Sequence, residues 1–319
     1  MTQIDLQTFE NGIYALDSGF VRPRMDAIHF IVEQGRAAII DTGTYESVPL
    51  MLAALRQLGL GVDAVDYVIL THVHLDHAGG AGLLMQQLPN AKLVVHPRGA
   101  PHMIDPSKLW AGTVAVYGEA RARKDYGALL PIARERVVQA ADGFSLELAG
   151  RNLTFVDTPG HAKHHYCVHD ETARALFTGD TFGLSYRELD QDGRSFIVPT
   201  TTPTQFEPEA LHASIDRLLA LSPRAIYLTH YSQITDIARH GADLHRLIDA
   251  HAQVGMQWAD CADDAKRLKG LTSGVHQIML DEARLAGGNE ELWLETLAND
   301  IALNAQGLAA WLDFRKKAA

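Results

Sequence analysis

The stretch Thr71-His72-Val73-His74-Leu75-Asp76-His77 constrains this chain more than any other. It follows directly on the apolar run Tyr67-Val68-Ile69-Leu70, which reads as a short buried strand. His72 and His74 lie two residues apart, so in extended backbone both imidazoles project to the same side. Asp76 and His77 come where a turn must lead into a helix, and Gly79-Gly80 keeps the backbone bulk there small. Four ligand-type side chains in six residues thus gather at the carboxyl end of a strand, where ligand sites of α/β folds tend to lie. An ordinary exposed turn favours Gly, Asn, Asp and Ser over His. The stretch therefore reads as a metal site, and imidazole with carboxylate suits zinc or iron.

The rest of the chain supplies the α/β frame that such a site needs. Short apolar runs around residues 12–17, 28–32, 37–40, 93–95, 144–148, 153–156, 166–168, 175–177 and 225–228 read as strands. Val48, Met51, Leu52, Leu55 and Leu58 recur at helical spacing, with Pro49 in the first turn and Gly59 as a stop. Leu211, Ile215, Leu218 and Leu219 line another helix. Residues 104–134 carry helix-compatible stretches, but Trp110, Tyr117 and Tyr126 fit no clean period. From about residue 233 the pattern turns all-helical, with Ile237, Leu244, Leu247 and Ile248 on one stripe. The expected organisation is a catalytic domain over 1–232 and a helical C-terminal extension over 233–319.

Three further metal-capable residues stand at strand ends: His161 after Asp157-Thr158-Pro159-Gly160, Asp180 after Thr178-Gly179, and His230 after Thr229. One such residue alone would more often be structural. Three together with the cluster make a site. His164 and His165, beside His161, stay outside the ligand set, with His165 suited to a supporting position. His169, His240, His245 and His251 read as solvated helix or turn residues, Cys167 as core, and Trp258, Trp293 and Trp311 as packing within the tail or at a dimer contact.

Taken in order, His72-x-His74-x-Asp76-His77, Thr158-Pro159-Gly160-His161, Gly179-Asp180 and Thr229-His230, with Asp41 in Ile40-Asp41-Thr42-Gly43, resemble the motifs of the metallo-β-lactamase-fold hydrolase superfamily. The resemblance spans about residues 10–232. It implies an αββα sandwich and two divalent ions, with zinc the first expectation and iron or manganese the alternatives. By the same resemblance His72, His74 and His161 would hold one ion, Asp76, His77 and His230 the other, and Asp180 would bridge them around a water or hydroxide. Two ions roughly 3.5–4 Å apart lower the pKa of a shared water and generate hydroxide near neutral pH. Asp76 could also take the nucleophile's proton, and Asp41 fits a role in fixing a ligand imidazole through its other N–H.

Within that superfamily the chain looks most like the glyoxalase II and N-acyl-homoserine lactonase branches, which keep all seven ligands. Residues 181–187 read Thr-Phe-Gly-Leu-Ser-Tyr-Arg, without the Cys-Gly-Arg pattern of glyoxalase II. Tyr186 is the nearest counterpart of the tyrosine that assists the carbonyl in the lactonases. The expected activity is hydrolysis of an ester-like carbonyl bond in a small molecule: a lactone, thioester or carboxylic ester. An iron-dependent oxidoreductase of the same fold and a phosphodiesterase are the alternatives.

Composition narrows the partners. With 28 Lys+Arg against 39 Asp+Glu, the formal charge of −11 disfavours nucleic acid and anionic membrane. Two cysteines make no disulfide framework, and the start shows neither a basic nor an apolar leader pattern, so a cytoplasmic location is expected. A homodimer through the tail is a further option.

Overall fold

The computed structural model describes residues 4–201 and 205–318. Its first sheet runs in sequence order through β1 (Leu6–Thr8), β2 (Ile13–Asp17), β3 (Ala27–Glu33), β4 (Arg36–Ile40), β5 (Val65–Ile69), β6 (Lys92–Val95) and β7 (Val137–Gln139). β1 to β4 pair antiparallel, whereas β4 to β7 pair parallel. The change of direction follows from the connections. Short loops join the first four strands, while helices return the chain between the later ones, as parallel pairing requires. These helices are α1 (Val48–Gln57), α2 (Leu75–Ala78), α3 (Ala81–Gln87), α4 (Ala100–Ile104), α5 (Ser107–Tyr117) and α6 (Glu119–Tyr126).

The second sheet has the order β13-β12-β11-β10-β9-β8. It comprises β8 (Ser145–Leu148), β9 (Arg151–Asp157), β10 (Tyr166–Asp170), β11 (Ala175–Phe177), β12 (Ala225–Leu228) and β13 (Ser232–Ile234). α7 (Pro208–Ala220) precedes β12, and α8 (Ile237–Gln257), α9 (Asp264–Ala286), α10 (Glu290–Thr296) and α11 (Ala298–Ala318) follow β13. Among the described residues no helix is long and apolar enough to cross a membrane.

Alternation along the strands builds two cores. Ile28 and Phe30 of β3, Ala37 and Ile39 of β4, and Leu93 and Val95 of β6 face Val48, Met51 and Leu55 of α1 and Leu84 of α3. The intervening Ile31, Ala38, Ile40 and Val94 meet Leu153, Phe155, Tyr166, Val168 and Phe177 of the second sheet. The inner strands of the first sheet are thus apolar on both faces, which explains why their sequence runs are continuous rather than alternating.

Two compact units emerge, both discontinuous in sequence. One comprises Met1–Asp157, His164–Gly179 and Pro223–Gln233; the other comprises Thr158–Lys163, Asp180–Ser222 and Ile234–Ala319. Neither coincides with a single stretch such as 1–232 or 233–319. In the second unit α8 buries Ile237, His240, Gly241, Leu244, Leu247, Ile248, His251 and Gly255, a full helical stripe. Leu271, Val275, Met279 and Ala283 of α9 recur every four residues as its counterpart. A side chain on Gly270 would lie 2.1 Å from the Trp258 ring, so this indole, at the end of α8, packs directly on the bare backbone of α9.

Two expectations about histidines are corrected here. His240 and His251 are fully buried rather than solvated, because both fall on the inward stripe of α8. One ring nitrogen of each finds a partner: the His251 Nδ1 donates to the Leu247 carbonyl at 2.7 Å, and the His240 Nε2 lies 2.8 Å from the Ser195 hydroxyl, while His251 Nε2 and His240 Nδ1 are buried without one among the described residues. The tail tryptophans do pack, with Trp293 buried 4.7 Å from the Phe196 ring and Trp311 buried 5.9 Å from Phe206.

Candidate metal centre

Asp41, at the end of β4, organises the first unit's share of the site. It is buried, with φ +58°, and its carboxylate gathers donors from three chain segments. The Thr71 N–H reaches Oδ1 at 2.8 Å, the Thr71 hydroxyl lies 2.9 Å from Oδ2, and the Thr229 hydroxyl lies 3.0 Å from Oδ2. His77 Nδ1 completes the set at 2.8 Å from Oδ2. A carboxylate only accepts, so Nδ1 carries the hydrogen and the lone pair of His77 sits on Nε2. The turn after β5 is pinned in the same place. The Thr42 N–H and hydroxyl both reach the His77 carbonyl, at 2.7 and 2.9 Å. At Gly80 a Cβ would come within 2.6 Å of the Thr44 carbonyl and 2.7 Å of the Thr42 carbonyl, so only glycine fits.

His230, after β12, repeats the pattern. Its Nδ1 lies 2.9 Å from Asp26 Oδ1 and 3.2 Å from the Met25 carbonyl, which leaves Nε2 as the ligand atom. The His77 and His230 Nε2 atoms lie 3.7 and 3.8 Å from Asp76 Oδ2. These three ligand atoms fall within 4.8 Å of one another, the right donor types and spread for one divalent ion. Alongside, His72 Nε2 and His74 Nδ1 approach to 2.9 Å, and the His72 and His77 rings stand 4.0 Å apart. All five residues belong to the first unit.

The second unit places His161 and Asp180 together, with Nε2 and Oδ2 3.4 Å apart. Thr200 Oγ1, 2.9 Å from His161 Nδ1, orients that imidazole. Tyr186, the candidate for assisting a carbonyl, is fully buried, and its hydroxyl lies 3.4 Å from the Asp300 carboxylate of α11.

Asp26, Tyr117 and Tyr126 have no site role in the sequence reading, whereas His165 does. Asp26 looks like any loop acid in sequence, yet it is buried against His230. Burial pushes its carboxyl up to about 6, while the His230 imidazole works against that rise. Tyr117 and Tyr126 form an aromatic wall with Phe20. Tyr126 stacks on Phe20 at 5.6 Å and lies 5.9 Å from the Tyr117 ring. Burial and the nearby Asp76 carboxylate hold both phenols above their ordinary range, so they stay protonated donors. The two phenol groups are hydrogen-bonded to one another. Their failure to fit the helical period of 104–134 was the signal. His165 is buried with its ring 4.9 Å from His72, and His164 Nδ1 accepts from the Val73 N–H at 3.4 Å.

A sandwich of two sheets that presents carboxylate-oriented histidines and aspartates at its strand ends defines a divalent-metal protein. The chain belongs to the metallo-beta-lactamase superfamily, whose family model matches residues 21–230. Its fold is accordingly the αββα sandwich of that family with added C-terminal helices. It is 25% identical over 230 residues to a metallo-beta-lactamase fold-containing protein of Sulfurisphaera tokodaii, covering 69% of this chain and 78% of the relative. A hydroxyacylglutathione hydrolase of Yersinia pestis is 29% identical over 188 residues, 59% of this chain. The chain matches about half the length of that relative, 54%. Among solved structures, a metallo-beta-lactamase family protein of Thermus thermophilus aligns with a TM-score of 0.66 at 21% identity, over 97% of this chain and 94% of the other.

Proposed function

We propose that the protein is a dinuclear metal-dependent hydrolase of an ester-like carbonyl bond, acting on a lactone, thioester or carboxylic ester. The observation that carries this is the pair of oriented imidazoles, Asp41–His77 and Asp26–His230, with both Nε2 atoms turned toward Asp76. In this scheme His72, His74 and His161 would hold one ion, Asp76, His77 and His230 would hold the other, and Asp180 would serve both, as the motif order of the family implies. Zinc is the first choice, with iron and manganese compatible with the same donors. When bound, such a pair supplies Lewis acidity and lowers the pKa of water between the ions.

The chain's own residues do the rest. Asp41 and Asp26 hold His77 and His230 in the tautomer that can ligate. Asp76 offers one carboxylate oxygen as ligand and the other to accept the proton released from water. The Tyr117 hydroxyl donates to an oxygen of the substrate's carbonyl end, and the rings of Tyr117, Tyr126 and Phe20 receive its apolar part. The name of the Yersinia relative supports thioesters among the candidates. The chain's net charge of −11 supports neutral or weakly charged substrates over polyanions.

The test is a panel of an acyl-glutathione thioester, an N-acyl lactone, an aryl ester and an aryl phosphodiester, run with elemental analysis of the same preparation. Expected are two ions per chain and turnover of a carbonyl substrate that chelation abolishes and added metal restores. Asp180→Ala should weaken both ions, whereas His230→Ala should loosen one. Turnover confined to the phosphodiester, stoichiometric oxygen consumption, or never more than one tightly held ion would overturn the proposal.

A further inference from the structure

A second pair of oriented histidines lies outside this centre, on α7 and α8. His212 and Asp216 are four apart on α7, and His245 and Asp249 are four apart on α8. Such spacing puts each His and Asp on one helix face. The contacts are crossed between the helices: His212 Nε2 lies 3.1 Å from Asp249 Oδ1, and His245 Nε2 lies 3.1 Å from Asp216 Oδ1. Since a carboxylate only accepts, each Nε2 carries a hydrogen, and in the neutral imidazoles each Nδ1 is left with a lone pair. Those two Nδ1 atoms face one another at 2.6 Å, with the ring planes 10° from parallel and the centroids 4.9 Å apart. The centroid separation is close to the N–N distance plus two ring radii, so the lone pairs meet nearly head-on. Two lone pairs so close repel unless a proton or a metal ion lies between them, so the pair is held either by an N–H···N hydrogen bond or by a metal.

The geometry points to a divalent transition-metal site that clamps α7 to α8 through His212 Nδ1 and His245 Nδ1, separate from the catalytic centre. Asp216 and Asp249 orient the imidazoles, as carboxylates do for metal-ligating histidine elsewhere. They also bring negative charge to the site. Copper, nickel and zinc suit two imidazoles, with water completing the shell. At a metal–nitrogen length of about 2.0–2.1 Å the two nitrogens must part to about 3–4 Å, depending on the angle at the ion, and the rings must tilt so that both lone pairs reach it. Side-chain rotation can supply that change, because the histidine side chains are 25% and 28% exposed and the carboxylates 66% and 71%. Water likewise has access to the ion.

The experiment titrates Cu2+ into the protein with its resident metals in place, following the copper EPR spectrum, release of the resident ions and melting temperature. Expected is one Cu2+ per chain beyond the resident ions, with hyperfine splitting from two imidazole nitrogens and a raised melting temperature. His212→Gln and His245→Gln should each weaken this binding more than tenfold, with resident metal content and hydrolysis unchanged. Asp216→Asn with Asp249→Asn should weaken it about 10–100-fold, as loss of the orienting partners does. His276→Gln, at an exposed histidine of α9, is the control and should change nothing. Binding and spectra that are the same in the His212 and His245 variants as in the parent, or no copper uptake beyond the resident ions, would overturn the site. Because the two histidines are partly buried, the folding of each variant is verified by circular dichroism before titration. The Asp pair, which leaves both ligands intact, gives an independent reading if a histidine variant fails.

Discussion

A buried carboxylate survives only where donors replace its water, and Asp41 shows how one residue can meet that demand and set up a metal ligand at once. The backbone and hydroxyl of Thr71, the hydroxyl of Thr229 and His77 Nδ1 all converge on it. Replacing it by asparagine exchanges one acceptor oxygen for a donor NH2 facing those same donors. Asp41→Asn should therefore lower metal affinity about 10–100-fold, read by chelator competition. It should also lower the melting temperature of the metal-free protein, because the clash does not depend on the ion. An unchanged metal affinity would show that His77 needs no orienting partner. Tyr117 makes the second case at this scale. Tyr117→Phe keeps the ring and removes one hydrogen bond, a change worth about 0.5–1.5 kcal/mol. The expected result is a two- to tenfold loss in kcat/KM on the carbonyl substrate with metal content intact, whereas a purely structural tyrosine would leave kinetics alone. Asp41 was legible because a strand-end motif surrounds it. Asp26 was not, because its partner His230 lies some two hundred residues away and no local pattern encodes that pairing.

At the scale of elements, legibility tracks how much of the structure is locally determined. Ala175–Phe177 and Ala225–Leu228 are strands with the expected bounds, since an apolar run between turn residues has few alternatives. β1, β7 and β13 went unread: each is three residues long and held by neighbours rather than by its own pattern. α5 and α6 were obscured for a different reason. α5 buries no residue fully and α6 buries Ala122 and Tyr126, so neither shows the full stripe that betrays α8. Where helices do pack tightly, glycines mark the contact. Gly270→Ala would push a methyl group into the Trp258 ring, which lies 2.1 Å from the ideal Cβ position. Overpacking of this kind costs about 1–3 kcal/mol. The variant should melt several degrees lower with unchanged metal content, and an unshifted melting temperature would mean that the Trp258 ring can move aside there freely.

At the scale of the whole molecule, sequence order conceals how the chain is partitioned. Three separate segments make up each compact unit, and the helical tail shares its unit with Asp180–Ser222. Composition shifts along a chain reveal contiguous domains only, so a linear reading draws one boundary where contacts draw several. Both units nonetheless contain buried histidines that are not ligands in this scheme, and these couple folding to pH. His29 in the first unit and His240 and His251 in the second are each pushed down to about 4. Burial dominates in all three. The Asp41 charge opposes it at His29, the Leu247 carbonyl opposes it at His251, and the neighbouring Arg239 cation reinforces it at His240. Unfolded, each imidazole returns to its ordinary value of 6.5. Between those limits the unfolded chain binds more protons than the folded one, so these groups stabilise the fold fully above pH 6.5 and lose that contribution as the pH falls toward 4. Urea unfolding of the chelator-treated protein between pH 7.5 and 4 should show stability declining with a slope that reports extra proton uptake on unfolding. In His251→Gln, which keeps a donor for the Leu247 carbonyl but cannot titrate, that slope should fall by up to about one proton near the middle of the window. The ligand histidines titrate alike in parent and variant and cancel in the comparison. Equal slopes would mean that His251 takes up its proton in the folded state without cost, and that its burial is breached before the molecule unfolds.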